Sequence, residues 1–490
     1  MARFSVMVAA AAVALQASAN PVGSGPKTNA AQTCSRISSS ISSASGVIYA
    51  ANASAFAEDT SHYFLSSGQT PACVLEVGSP ADLSAAIRII GNTRTPFAVQ
   101  SGGHASNQGF SSTTGVHISL RRMKQVTLSA DKKTVEIGFG QGWAGVYKIL
   151  QGSGVNVVGG RVAGPGVGGF TLGGGFSWKT NQFGLTADTV KKYNIVLPDG
   201  TITQASAKSN PDLFWALKGG MNRFGIVTSA EFFTHPQTPT VYGGLRYYPP
   251  TSIPAVLDAT TKFLATNKDP KAVIITTIDS SVNGTNGPLL FFYDGPEKPD
   301  AFKIFDDIYN FYDTVQAQPF SDFVSGIPPV DPSVDNIRGG FHTFSTSALT
   351  SKFLQAIYNE TVEVAKVMEL HGANRASYDI EPFTRYGKYA TDSAFHHANS
   401  PLPLNLFFSW KSPSEDQFWY NWMRQSVARL KKVAIQEGIY TKDLAAYPNY
   451  SLASSTAEEL YGPLNALRLR LVRSRIDPQR VMDLAGGFNI

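Results

Sequence analysis

Cysteine is almost absent. The 490 residues hold two, Cys34 and Cys73, and neither lies in a CxxC or metal-ligand pattern, so no thiolate metal centre is expected. Charge is also sparse, at 16% of residues with a formal net charge of +5. No basic run carries interleaved aromatics, which argues against a nucleic-acid partner. Long apolar runs are missing too. The longest, Ser5 to Ala17, is shorter than the roughly 20 residues a membrane helix needs, so no membrane partner is expected. Arg3 precedes that run and Ala17-Ser18-Ala19 follows it, which is the pattern of a cleaved secretory signal over 1–19.

A secreted chain with two cysteines is expected to join them, so a Cys34–Cys73 disulfide is predicted over the alternative of two buried thiols. The sequons at Asn52, Asn283 and Asn359 fit the same compartment and are expected glycosylation sites; a fourth, at Asn449, is expected to be buried and unused.

Glycine is abundant, at 44 residues, and it clusters. Gln100-Ser-Gly-Gly-His104 follows a predicted strand. Adjacent glycines there let successive N–H groups point into one concavity, a nest for phosphate oxygens, with His104 beside it. Between Gly159 and Gly175, nine of seventeen residues are Gly, interleaved with Val, Phe and Leu. A flexible linker would be polar and Ser-rich, so close backbone approach to a planar or phosphorylated ligand is the better reading. The segment is not a dinucleotide fingerprint of the Rossmann type, because the strand–turn–helix context and the acidic residue are absent. A third motif, Asn210-Pro-Asp-Leu-Phe-Trp-Ala-Leu-Lys-Gly-Gly220 with Phe224-Gly-Ile-Val-Thr228, reads alone as a short helix and a strand.

Around these motifs the patterning predicts strands at 73–77, 96–99, 116–120, 134–138 and 190–197, the last turning at Pro198-Asp-Gly200. Helices are predicted from Ser79 as N-cap to Gly91-Asn92, and over 143–150. Residues 20–45 read as loose at their start. From 236 to about 440, aromatic strands (242–248, 272–278, 404–410) alternate with long helices, one of them opened by Ser414 with Gln417 as a capping box and closed by Gly438. That predicts a second domain, a sheet with helices on one face.

Together the three glycine-containing motifs, with Tyr447-Pro-Asn-Tyr450, Tyr461-Gly462, Ile476-Asp-Pro478 and Gly486-Gly-Phe488, resemble the vanillyl-alcohol oxidase/p-cresol methylhydroxylase superfamily. The nearer resemblance is to its berberine-bridge-enzyme-like branch, which includes fungal oligosaccharide oxidases. It implies an α+β, two-domain fold of the PCMH type. The FAD-binding domain would take 20–235 and 441–490, and the substrate-binding domain 236–440, its antiparallel sheet covered by helices. It implies FAD bonded to His104, cradled by Ser101, Gly102, Gly103, Ala105 and Gln108. Gly166, Gly169, Gly174 and Gly175 would pass near the flavin, Ile226 would meet the adenine end, and Asn449 would approach from the C-terminal strand. Three departures stand out. The cysteine that gives many members a second flavin bond would fall near Val162 and is missing, so attachment through His104 alone is expected. Gln100 replaces an Arg, and Phe170 replaces a His.

The expected activity is oxidation of an alcohol-type carbon of a carbohydrate or small aromatic metabolite, with O2 as acceptor, by a monomer. The competing reading is a protein that holds FAD without turnover. A flavin oxidase needs a base for the substrate O–H proton. Tyr447 and Tyr450 are the candidates, and Tyr447 ranks first because an extended strand would place it on one face with Asn449. His342, Tyr378, Asp379, Glu381, His396 and His397 are polar candidates in the second domain. Tyr247, Tyr248 and Trp410 are rings that either stack on substrate or fill the core.

Overall fold

The computed structural model describes residues 29–282, 284–327 and 337–490. The signal segment and the Asn283 sequon lie outside the described residues. The first domain begins with a helix, Ala30–Ser38, whose Cys34 is bonded to Cys73. That bond ties the helix to a four-stranded sheet in which Cys73–Glu76, Val116–Ser119 and Phe97–Gln100 run parallel and Gly46–Ile48 pairs antiparallel at the edge. The helix Pro80–Thr93 sends Leu83, Ala86, Ile87 and Ile90 into the core that this sheet shares. Ser79 caps it as predicted, accepting from Asp82 N–H with Pro80 in the first turn. It does not stop at Gly91-Asn92. It runs one residue further and ends on Arg94 in the left-handed conformation, because Thr93 is held by hydrogen bonds to Thr33 and Thr95.

A second sheet, of five antiparallel strands, contains Val126–Leu128, Thr134–Gly138, Val190–Val196, Ile202–Ser206 and Ile226–Phe233. The Pro198-Asp-Gly200 turn joins two of them, with Gly200 at φ 84° and Asp199 accepting from Thr201 N–H. The glycine-rich segment crosses between the two sheets. One core spans both and is completed by C-terminal residues Leu460, Leu469, Met482 and Phe488, so the chain returns to the first domain after leaving it.

The second domain is one antiparallel sheet of eight strands, from the short strands Tyr312–Asp313 and Gln316–Gln318, both paired to Val241–Tyr248, at one side to Arg338–Thr346 at the other. Period-two alternation divides its faces. Ala376, Tyr378, Ile380, Leu404, Leu406, Phe408 and Trp410 pack with residues of helices Ser351–Met368 and Asp416–Gln436. The opposite face carries Thr277, Asp279, Ser377, Asp379 and Asn405, aligned by the registers Thr277↔Asp379, Asp279↔Ser377 and Asp379↔Asn405, and it looks toward the first domain. The predicted Ser414 capping box does not form: Ser414 lies in a 3-10 turn, Pro413–Glu415, that Ser412 caps, and the helix starts at Asp416. Nor is Tyr447–Tyr450 a strand. Pro448–Tyr450 is a 3-10 turn, which Pro favours by fixing φ and lacking an N–H for a sheet ladder. Among the described residues, no helix is long and apolar enough to cross a membrane.

Candidate functional site

The strand Phe97–Gln100 delivers Ser101-Gly-Gly-His104 against the second glycine segment. Backbone meets backbone here. A Cβ on Gly102 would lie 2.2 Å from Gly166 N, and one on Gly166 would lie 2.3 Å from Gly102 N, so both positions exclude any side chain. Ser101 locks the contact: its hydroxyl donates to Phe139 C=O and accepts from Gly168 N–H at 3.2 Å. Gly103 has φ 69°. Among the described residues, no acceptor faces the N–H groups of Gly102, Gly103, His104 or Ala105. Four successive free donors in a turned backbone suit the oxygens of a pyrophosphate.

His104 sits half-buried at the end of this nest. A Cβ on Gly164 would fall 2.4 Å from its Nε2, so bare backbone lies against one side of the imidazole. Burial pulls its pKa down to about 4, leaving a neutral ring with a lone pair at neutral pH. These features fit a flavin dinucleotide: an anion nest, a nucleophilic imidazole, and a glycine wall that a planar ring can approach.

Arg161, three residues before Gly164, was not singled out from the sequence, although a lone cation inside a glycine run was a usable signal. Its guanidinium is buried. Nη2 pairs with Glu381 Oε1 at 2.9 Å and donates to Tyr450 OH. The Tyr450 hydroxyl donates to the same Glu381 oxygen at 2.9 Å. Burial works against the charge on Arg161, but Glu381 and Tyr450 outweigh it and hold the guanidinium protonated. Burial raises the Glu381 carboxyl, although Arg161 opposes the shift, and raises the Tyr450 phenol well above 10. Beside this cluster, Asp379 accepts from Thr277 and Asn405 at 2.8 Å each, and Asp279 pairs with Arg375.

Tyr447 has a different setting. Its oxygen receives the N–H groups of Gly175 and Phe176 and the Asn449 amide, and burial raises its pKa to about 12. Asn449 also donates to Phe170 C=O at 3.1 Å, and a Cβ on Gly173 would strike it. Its amide nitrogen is thus fully engaged. Gly169 faces open space and Gly174 and Gly175 have positive φ. Ile226 opens a buried strand of the five-stranded sheet, away from Arg161 and Glu381 in the topology. Gln108 is exposed in a turn. Of the second-domain candidates, only Asp379 and Glu381 reach this cluster. Tyr378 bonds Ser426 on the helix face, and His342 faces the helix carrying Arg424 and Lys431. His396 is exposed, and His397 is buried against Asp188 at 2.8 Å. Trp410 and Tyr248 fill cores, whereas Tyr247 groups with Phe311 and Tyr312 at the far side of the sheet.

Residues 71–206 match the model of an FAD binding domain. A FAD-dependent monooxygenase of Arthrobotrys oligospora is 30% identical over 431 residues, which are 85% of this chain and 81% of that protein. An uncharacterized FAD-linked oxidoreductase of Arthroderma benhamiae is 39% identical over 253 residues, 51% of this chain and 50% of that relative. Two solved structures share the fold at low identity. Glucooligosaccharide oxidase of Acremonium strictum, whose FAD is 6-S-cysteinyl, 8α-N1-histidyl, superposes with TM-score 0.75, 19% identity and coverage of 92% of this chain and 98% of that one. Xylooligosaccharide oxidase of Myceliophthora thermophila gives 0.70 and 21%, with 88% and 94% covered. With its glycine cradle and these relatives, the chain belongs to the FAD-dependent oxidoreductases that carry this FAD binding domain, and it shares the fold of the oligosaccharide oxidases.

Proposed function

We propose that this protein is a secreted oxidase that carries FAD on His104 alone and oxidises an alcohol-type carbon of a carbohydrate or small aromatic metabolite, with O2 taking the electrons. One observation carries the reading. A single segment, 161–164, touches His104 through Gly164 and the Tyr450–Glu381 pair through Arg161. Three residues of backbone span at most ~10 Å, so one short stretch of chain links the attachment point to the proton-handling groups.

Bound FAD supplies the two-electron acceptor. The chain's own residues handle the proton. Tyr450, rather than Tyr447, is the group we assign to the substrate hydroxyl, because Tyr447 is consumed in holding Gly175 and Phe176. A phenol held above 10 does not ionise by itself at neutral pH. Its proton passes along the existing bond to Glu381 while the Tyr450 oxygen takes the proton of the substrate. Arg161 holds both partners in line and balances the carboxylate. Single attachment is supported by the lack of cysteine near Val162, where the resemblance would place a second bond. Exposed Asn52 and Asn359 fit glycosylation in a secretory route.

The test is optical. The purified protein is expected to be yellow, to keep its colour in an acid-precipitated pellet, and to bleach anaerobically with a member of an alcohol and oligosaccharide panel. In air, peroxide should appear in step with substrate loss. Names of the relatives raise oxygen insertion as a second outcome, which substrate loss without peroxide and an oxygenated product would support. A colourless protein would end both readings, and a yellow protein that no substrate bleaches would leave only the binding function.

A further inference from the structure

We propose that Tyr63 is a positioning residue for flavin attachment: its ring fixes the plane of the His104 imidazole, whose Nε2 edge borders the Gly164 backbone. This rests on the reading that His104 carries the flavin. The two rings stack with centroids 4.5 Å apart and planes 13° from parallel. At the Nε2 edge, Gly164 leaves no room for a methyl group: an added Cβ would lie 2.4 Å from Nε2 and 2.8 Å from Cε1. His104 has no hydrogen-bond partner among the described residues, so the Tyr63 stack is what fixes the ring plane. A histidine nucleophile usually has its second nitrogen oriented by a hydrogen bond; here stacking takes that place and leaves both nitrogens free.

Tyr63 is itself well anchored. Its N–H donates to Gly103 C=O at 3.0 Å. Gln100 Nε2 donates to Ser61 C=O at 2.7 Å. Phe64 inserts between Phe341 and Phe407 of the second domain, and Ser66 exchanges two hydrogen bonds with Gly339. The clamp is therefore tied to both domains.

The step it serves balances as follows. An imidazole nitrogen of His104 forms a bond to the flavin 8α carbon and gives up its N–H proton. That carbon loses one C–H proton, and the two electrons left enter the isoalloxazine ring. Dioxygen takes the two electrons and two protons and leaves as hydrogen peroxide. Bond formation needs the nitrogen aligned with the carbon, and geometry of this kind is worth large rate factors.

The experiment follows covalent flavin, not turnover. Full-length protein is expressed under riboflavin limitation and incubated with FAD. Acid-stable flavin is read by in-gel fluorescence, and total bound FAD by absorbance. Tyr63→Leu should bind FAD but attach it roughly 2- to 10-fold more slowly, as expected for loss of an aromatic stack, and Tyr63→Phe should restore the rate. Gly164→Ala should slow attachment independently, so the proposal stays open to test if Tyr63→Leu does not fold. Attachment at the parent rate in Tyr63→Leu, or in Gly164→Ala when the leucine variant fails to fold, overturns the clamp. Acid-stable flavin in His104→Ala would overturn the attachment site itself, which is a separate result.

Discussion

The glycine cradle and the charged cluster of this molecule are built by opposite means. Around Gly102, Gly164 and Gly166 the site is made by leaving side chains out, so that backbone packs on backbone and free N–H groups line a nest. On the inner face of the second-domain sheet it is made by putting charged side chains in: Glu381 pairs with Arg161 of the glycine segment, Asp279 pairs with Arg375, and Asp379 is held by Thr277 and Asn405. The first side binds by shape and dipoles; the second is costly to bury and stands because its charges are paired or hydrogen-bonded. Damage to the first should therefore appear as lost cofactor, and damage to the second as lost turnover with the cofactor retained.

The sharpest break of that contrast is Gly166→Val. With Gly102 N 2.3 Å from the new Cβ, bound FAD should fall to background by absorbance while the far-ultraviolet circular dichroism of the chain persists. Glu381→Gln should do the converse. Flavin content stays near that of the parent, and kcat falls by about 10²–10⁴, the usual contribution of a positioned proton acceptor. The pH profile sharpens this. Because burial raises the Glu381 carboxyl above its ordinary value, kcat/KM should rise with pH on a limb displaced upward from the usual carboxylate range, and that limb should vanish in Glu381→Gln.

Stability effects follow. Cys34→Ala opens a bridge of sequence separation 39, and loss of a loop constraint of that size costs about 4 kcal/mol, read as a lower midpoint in denaturant. Acid should destabilise the first domain through His117. That side chain is fully buried with neither ring nitrogen bonded, and burial lowers its pKa to about 4. A histidine whose folded pKa lies below its unfolded value near 6.5 stabilises the fold above that value. The contribution disappears as the pH falls toward 4, by ~3 kcal/mol in all. Thermal melts from pH 7 to 4 should show it, and His117→Leu should flatten the slope. The smallest effect is expected at the glycans: Asn52→Gln and Asn359→Gln should each shift the mass of secreted protein with stability changes within about 0.5 kcal/mol.

The same contrast explains what could be read in advance. Missing side chains leave a mark in the sequence, since nine glycines in seventeen residues have few causes. His104 and Gly166 are legible in that way, and the strands beside them, the Ser79 cap and the Thr134–Gly138 and Trp143–Leu150 elements are legible from capping and apolar patterning. The charged cluster left no such mark. Arg161, Glu381 and Tyr450 are more than 200 and nearly 70 residues apart, and only strand register and the fold-back of the C-terminal segment bring them together. Tyr447 was ranked above Tyr450 because a strand was expected; Pro448 turns the chain instead, which sends Tyr447 into the glycine segment and Tyr450 toward Glu381. The Ser414 capping box failed for a similar local reason, as Ser412 and Pro413 close a 3-10 turn first.

Peptide mass spectrometry after proteolysis tests the central assignment most directly. The peptide containing His104 should carry the mass of one FAD less two hydrogens, fragmenting to place it on the imidazole, with the peptide around Val162 unmodified. An unmodified His104 peptide, with all flavin released on denaturation, would contradict it.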